Sequence, residues 1–216
     1  MVMRDQRGFT LVEMMIAAAL TMVVVGAAVA LATTVQNSYS YEINDAAIQQ
    51  EARFALDWIS RTIAQGGSNP YDIGDPADGA AIDQDLSCTP MEPGFALSVD
   101  GNSIQVLSDV SPPNGLVGGE DMDCVEPGED VTIAFDDVAN TITRLDVALD
   151  ATATDMTDTV VTDLSFTFLD SSRTVTTSAA ALAYVQISLT VESKTRNPYT
   201  NQNTTYTYTS EVRVRS

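Results

Sequence analysis

One carboxylate stands in an apolar run near the start of this chain. Glu13 follows Gly8-Phe9-Thr10-Leu11-Val12, and no residue from Met14 to Val35 is charged. A carboxylate at the centre of a membrane helix costs on the order of 2.5–3.5 kcal/mol, and less near the end of the span. Something should pair with it. A cut after Gly8 would supply the partner, because the new amine of Phe9 would lie four residues before Glu13, one helical turn away on the same face. In an assembly, Glu13 could instead reach the amine of a neighbouring chain and set the axial register.

Other residues invite chemistry less strongly. Asp72, Asp75, Asp78, Asp83 and Asp85 form one acidic cluster, and Glu120, Asp121, Asp123, Glu126, Glu129 and Asp130 form another. Calcium takes six to eight oxygens, but Asp75-Pro76-Ala77-Asp78-Gly79 lacks the alternating spacing and terminal Glu of an EF-hand loop. Solvated acidic loops are the reading adopted, and no metal or cofactor is expected. The pairs Glu129-Asp130 and Asp136-Asp137 are sequence neighbours at expected turns, and no nucleophile elbow or phosphate loop accompanies them. An enzyme is not expected.

Composition narrows the field further. The 216 residues hold 30 acidic and 10 basic side chains and no histidine, for a formal net charge of -20. Nucleic-acid binding needs clustered Lys and Arg and is excluded on that ground. Every imidazole-based mechanism is excluded as well. Between Asp72 and Asp170 the one basic residue is Arg144, whereas Arg173, Lys194, Arg196, Arg213 and Arg215 outnumber acids towards the end. Two readings compete: a solvated acidic surface, and a polarity that brings an acidic face to a basic one on a neighbouring subunit.

The elements that position these residues begin with the apolar run. From Met14 to Val35 a helix would span ~33 Å at about 1.5 Å per residue, enough for a hydrocarbon core of about 30 Å. Arg4 and Arg7 precede it, which keeps the leader cytoplasmic and puts the rest of the chain across the membrane. A secretory signal peptide has a shorter apolar core and no place for Glu13. Beyond the polar stretch Gln36 to Glu42, apolar residues recur at Ile43, Ala47, Ile48, Ala52, Ala55, Leu56, Ile59 and Ile63, one face of a 3.6-residue period. Gly66-Gly67 and Pro70 end that helix, so one helix is predicted from about Phe9 to Gln65. Its amphipathic half needs a sheet to cover it, and Trp58 is assigned to that packing.

After an irregular stretch from Asp72 to Pro93, β-branched and alternating runs predict about seven strands. Ala96–Val99 and Ser103–Leu107 form a hairpin around Asp100-Gly101-Asn102. Val131–Phe135 and Thr141–Val147 form a second. Leu164–Leu169, Tyr184–Glu192 and Thr205–Val214 follow, the last with Tyr206, Tyr208, Ser210, Val212 and Val214 on one face. Short connections favour antiparallel pairing. The fold class is α+β: a long N-terminal helix on a mostly antiparallel sheet.

Gly8-Phe9-Thr10-Leu11-Val12-Glu13, behind a short basic leader and ahead of a helix of membrane length, resembles the class III signal of type IV prepilins and type II secretion pseudopilins. The segment Gln50 to Arg61 and the ending Glu211-Val212-Arg213-Val214-Arg215 resemble PilW-type minor pilins, and J-type minor pseudopilins share a similar plan. The resemblance implies cleavage between Gly8 and Phe9 by a membrane prepilin peptidase, N-methylation of Phe9, and a role for Glu13 in assembly. It implies a leader over 1–8, a transmembrane and filament-core helix over 9–35, an amphipathic continuation over 36–66 and a β-rich head over 67–216. The expected partners are other minor and major pilins, the prepilin peptidase and the inner-membrane assembly platform. The expected location is the inner membrane first and a pilus or pseudopilus afterwards. A minor pilin that helps to initiate a type IV pilus is the leading reading; the alternatives are a J-type pseudopilin and a tip-exposed adhesin or ligand-binding head.

A head exported in this way meets an oxidising compartment, so Cys88 and Cys124 are expected to form a disulfide. Closing about 37 residues would stabilise the fold by roughly 3.8 kcal/mol in the chain-entropy account.

Overall fold

The computed structural model describes residues 8–68, 94–98, 100–108, 127–150 and 152–214. Cys88, Cys124, the first acidic cluster, and Glu120, Asp121, Asp123 and Glu126 of the second lie outside those residues.

One helix, α1 (Leu11–Gln65), runs through both the apolar and the amphipathic segments without interruption. No proline occurs in it, and straight-chain and alanine-rich turns favour the helix. It begins two residues later than expected, because Thr10 is an extended N-cap whose side chain accepts from the Glu13 amide. At the other end, the Gly66 N–H donates to the Ile63 carbonyl, and Gly67 takes a left-handed φ of 73°. Gly66 is needed there for space. A Cβ at this position would stand 2.3 Å from the Phe95 ring and 2.8 Å from Val106 Cγ1.

The described strands are β1 (Gly94–Leu97), β2 (Ser103–Leu107), β3 (Asp130–Asp136), β4 (Thr141–Asp146), β5 (Thr154–Asp155), β6 (Val161–Leu169), β7 (Tyr184–Glu192) and β8 (Thr205–Arg213). All pair antiparallel, as the α+β reading expected, but in two sheets instead of one: β1-β2-β3-β4-β5 and β6-β7-β8. The two sheets are stitched at their margins. The Phe166 N–H donates to the Gly101 carbonyl at 2.7 Å, and the Val161 N–H donates to the Asn140 carbonyl at 3.1 Å. Gly101 occupies the hairpin tip with φ 69°, and a Cβ there would be 2.9 Å from the Phe166 carbonyl oxygen. The first hairpin pairs Ala96 with Gln105 and Leu97 with Ile104, so its turn opens at Ser98 and not after Val99.

The core lies between the sheets and the upper half of α1. Ile59, Ile63, Ile104, Ile133, Ile142, Leu164, Ile187 and Leu189 are fully buried, with Trp58 packed at the margin. The helix contributes Ile48, Ala52, Ala55, Ile59 and Ile63 at the expected spacing. Ile43 and Ala47, expected on the same stripe, are exposed, Ile43 by 51%. Below Ile48 the head reaches the helix through polar side chains instead. Tyr41 OH and Thr204 Oγ1 are hydrogen-bonded at 2.6 Å, and Tyr206 OH donates to Asp45 Oδ2 at 2.7 Å. The carboxylate beside it pushes the Tyr206 hydroxyl up to about 12.

Candidate functional site

The segment that carries the sequence argument is fully exposed in the isolated chain. Gly8, Phe9 and Thr10 precede the helix, with Phe9 85% accessible. A Cβ on Gly8 would meet nothing within 4 Å, so among the described residues nothing crowds this position. That contrasts with Gly66 and Gly101, each of which faces a neighbour too close for a side chain.

Glu13 is held by its own helix start. The Thr10 N–H donates to Glu13 Oε2 at 2.9 Å, the Thr10 hydroxyl donates to the same oxygen at 3.0 Å, and the Glu13 N–H donates back to Thr10 Oγ1 at 3.3 Å. This reciprocal pair is a capping box: it satisfies two amides that the first helical turn leaves without carbonyl partners. In the uncut chain, therefore, the carboxylate has a local partner without any amine. The Thr-x-x-Glu spacing is visible in the sequence, and it is the signal that a reading focused on charge pairing passes over.

Behind this start, α1 presents an apolar surface with no cover in the chain. Leu11, Val12, Met14, Met15, Ile16, Leu20, Val23, Val24, Val29, Leu31 and Val35 are all exposed, and this helix is long and apolar enough to cross a membrane. Thr21, Thr33 and Thr34 turn their hydroxyls back onto carbonyls one turn earlier, which removes their donors from an apolar surrounding.

Of the second acidic cluster, Glu129 and Asp130 are described, and neither is solvated. The expected turn is present but not solvated: Glu129 closes the turn before β3, Asp130 opens the strand, and both are buried. The reason is packing across paired strands. The Gln105 amide donates to Asp130 Oδ1 at 2.8 Å, and Asp146, also buried, accepts from the Gly128 N–H at 2.9 Å and from Arg144. Arg144 Nη1 lies 3.8 Å from Asp150, so the single cation of the acidic stretch sits among its carboxylates. Burial, opposed by the Gln105 bond and aided by Asp146, pushes the Asp130 carboxyl above its ordinary value. Asp136, by contrast, caps its own turn, accepting from the Val138 and Ala139 amides. Among the described residues no group of three or more acidic or sulfur ligands converges on a metal position.

Three comparisons bear on these observations. No curated protein matches the chain, and no solved structure does. Residues 3–29 match the family model described as the prokaryotic N-terminal methylation motif, which takes in Gly8, Phe9, Thr10 and Glu13. The chain thus carries the N-terminal signature of type IV pilin-like and pseudopilin precursors, which are structural subunits processed by prepilin peptidase, ahead of an α+β head.

Proposed function

We propose that the chain is a minor pilin of a type IV pilus, similar to the PilW type, that helps to initiate filament assembly. Prepilin peptidase cuts after Gly8 and Phe9 is then N-methylated. What supports this reading is the match of residues 3–29 to the N-terminal methylation motif, with Gly8 and Phe9 inside it, directly before a helix whose first 25 residues find no cover in the chain. Until the cut, Glu13 is occupied by Thr10; afterwards the Phe9 amine, one turn away, is a charged competitor for the same oxygens. That exchange frees the carboxylate for an amine of its own chain or of a neighbour. The precursor sits in the inner membrane with its head outside the cytoplasm and passes from there into the filament. Its partners are other minor and major pilins and the assembly platform. The head carries a Cys88–Cys124 disulfide.

Expression with a prepilin peptidase tests the proposal. Intact-mass analysis is expected to show loss of the first eight residues, one added methyl group at Phe9 and a mass two hydrogens short of the dithiol. A product still beginning at Met1, or one cut near Ala30, sinks the reading. Recovery of the mature chain in a secretion pseudopilus and not in pili would move it to the J-type pseudopilins.

A further inference from the structure

The connection between β7 and β8, residues 193–204, is an ordered finger that lies along α1. Asn197 builds it: its side chain accepts from the Tyr199 N–H at 2.8 Å and from the Thr200 N–H at 3.3 Å, and its backbone closes the tip against Gln202 and Asn201. At the base, the Ser193 N–H donates to the Thr204 carbonyl at 2.8 Å. The tip meets the helix at Ser38, whose hydroxyl is hydrogen-bonded to Tyr199 OH at 3.1 Å. Tyr199 is nonetheless 79% exposed and Tyr39 64% exposed, both unusual for rings of this size.

Depth decides what these rings face. Ser38 is three residues past Val35, the last residue of the apolar run, or ~4.5 Å along the axis. The polar layer on each side of a hydrocarbon core is about 5–7 Å thick. Tyr39 and the tip of the finger therefore fall within that layer. The first acidic residue of the helix beyond it, Glu42, lies ~10 Å past Val35, outside the layer. From Thr195 to Thr204 the finger has one charged residue, the exposed Arg196, and no acid, in a chain of net charge -20. Among the described residues no ion pair engages Arg196, whereas Arg173 is bound to Glu211 at 2.9 Å. Tyrosines with an apolar body and a polar tip concentrate at this depth, and a cation there meets lipid phosphate.

We propose that the β7–β8 finger is a membrane footing. Tyr199 and Tyr39 insert among the phospholipid headgroups of the leaflet from which the head emerges, and Arg196 engages their phosphates. The finger seats the head on the bilayer before assembly. This inference rests on α1 crossing the membrane, and the test separates the two. The full chain is reconstituted in phosphatidylcholine vesicles containing phosphatidylglycerol, with spin-labelled lipid quenchers placed either near the headgroup or deep in the acyl chains. Trp58 stays as an unquenched reference, ~30 Å further along the helix than Ser38. A Val24→Trp variant reports the span, and a Thr200→Trp variant reports the finger.

The deep quencher is expected to extinguish the tryptophan at position 24, and the shallow quencher the one at position 200. Arg196→Glu in the Thr200→Trp background is expected to restore emission, more fully in vesicles containing phosphatidylglycerol than in pure phosphatidylcholine, whose phosphate is offset by choline. Loss of the deep signal would overturn the span itself. A quenched span with position 200 open to aqueous iodide and blind to both lipid labels would overturn the footing, and would leave the finger to contact a neighbouring subunit. Quenching at position 200 indifferent to Arg196→Glu would overturn the phosphate contact.

Discussion

Removing the hydroxyl of Tyr206 should loosen the head from its helix in a way that pH can read. Tyr206 OH donates to Asp45 Oδ2 at 2.7 Å, an oxygen that also accepts from the Gln49 amide at 2.9 Å. Hydrogen bonds to charged groups contribute about 1.5–3 kcal/mol, and partial exposure of this pair puts the expectation for Tyr206→Phe near the lower end, about 1–1.5 kcal/mol. Asp45 Oδ1 is buried with no partner of its own, so the loss leaves the carboxylate on Gln49 alone. The pH dependence has a definite sign. The folded hydroxyl is raised to about 12, above its usual 10, so its stabilisation is complete below pH 10 and disappears as pH rises through 12.

Urea unfolding of the detergent-solubilised chain, followed by the fluorescence of Trp58 at the core margin, measures this at pH 8 and at steps up to 12. The wild type should lose its advantage over Tyr206→Phe across the upper part of that range, and a cycle with Asp45→Asn should give a coupling of about 1 kcal/mol. Spectrophotometric titration should find a tyrosine ionising near pH 12 in the wild type that is missing from Tyr206→Phe. A coupling near zero, or an advantage that is flat between pH 9 and 12, would refute the reasoning.

Gly66→Ala should destabilise the head by about 1–3 kcal/mol, because the new methyl overlaps the Phe95 ring; Phe95→Leu in the same chain should recover part of the loss in a urea melt. Glu13→Ala should leave cleavage after Gly8 intact while reducing incorporation into filaments, and normal piliation by immunoblot of sheared fractions would count against the exchange of partners at Glu13. Asp130→Asn keeps the oxygen that accepts from Gln105 and removes a charge that burial disfavours. Since the folded carboxyl holds its proton more tightly than the unfolded one, the variant should melt higher at pH 7. The gain should shrink as pH falls below the ordinary carboxylate range, where both states are protonated.

What the sequence reveals follows the range of each interaction. The helix, its upper stripe and the strands were legible because period 3.6 and period 2 are local patterns; β7 runs from Tyr184 to Glu192 as read. The start of α1 was missed by two residues because Thr10-Leu11-Val12-Glu13 was weighed as charge and not as a cap. Ile43 and Ala47 fit the stripe but lie beyond the point where the sheet leaves the helix, and no local pattern marks that point. The division into two sheets, joined at Gly101 and Phe166, depends on pairings between residues far apart in sequence. Burial of Glu129 and Asp130 escapes a sequence reading for a related reason: Gln105, which binds Asp130, and Ser108, whose N–H donates to the Glu129 carbonyl, reach them through strand pairing. At the candidate site itself, the residues are contiguous and their geometry is local. The cleavage and the assembly step depend on other molecules.

The seam between helix and head has a geometric consequence. Asp45, Glu51 and Ser60 of α1 bind Tyr206, the Asp158 amide and Ser210, and the buried isoleucines lie between them. These contacts tie the described part of the head to α1, so the two turn together. Each residue of an α-helix advances about 1.5 Å and turns about 100°. A change of one residue in how the bare half of α1 beds against its neighbours would thus rotate the whole head by about a quarter turn or slightly more. The compass bearing of everything displayed on its surface is set at the other end of the molecule, in the apolar packing around Leu11 to Val35.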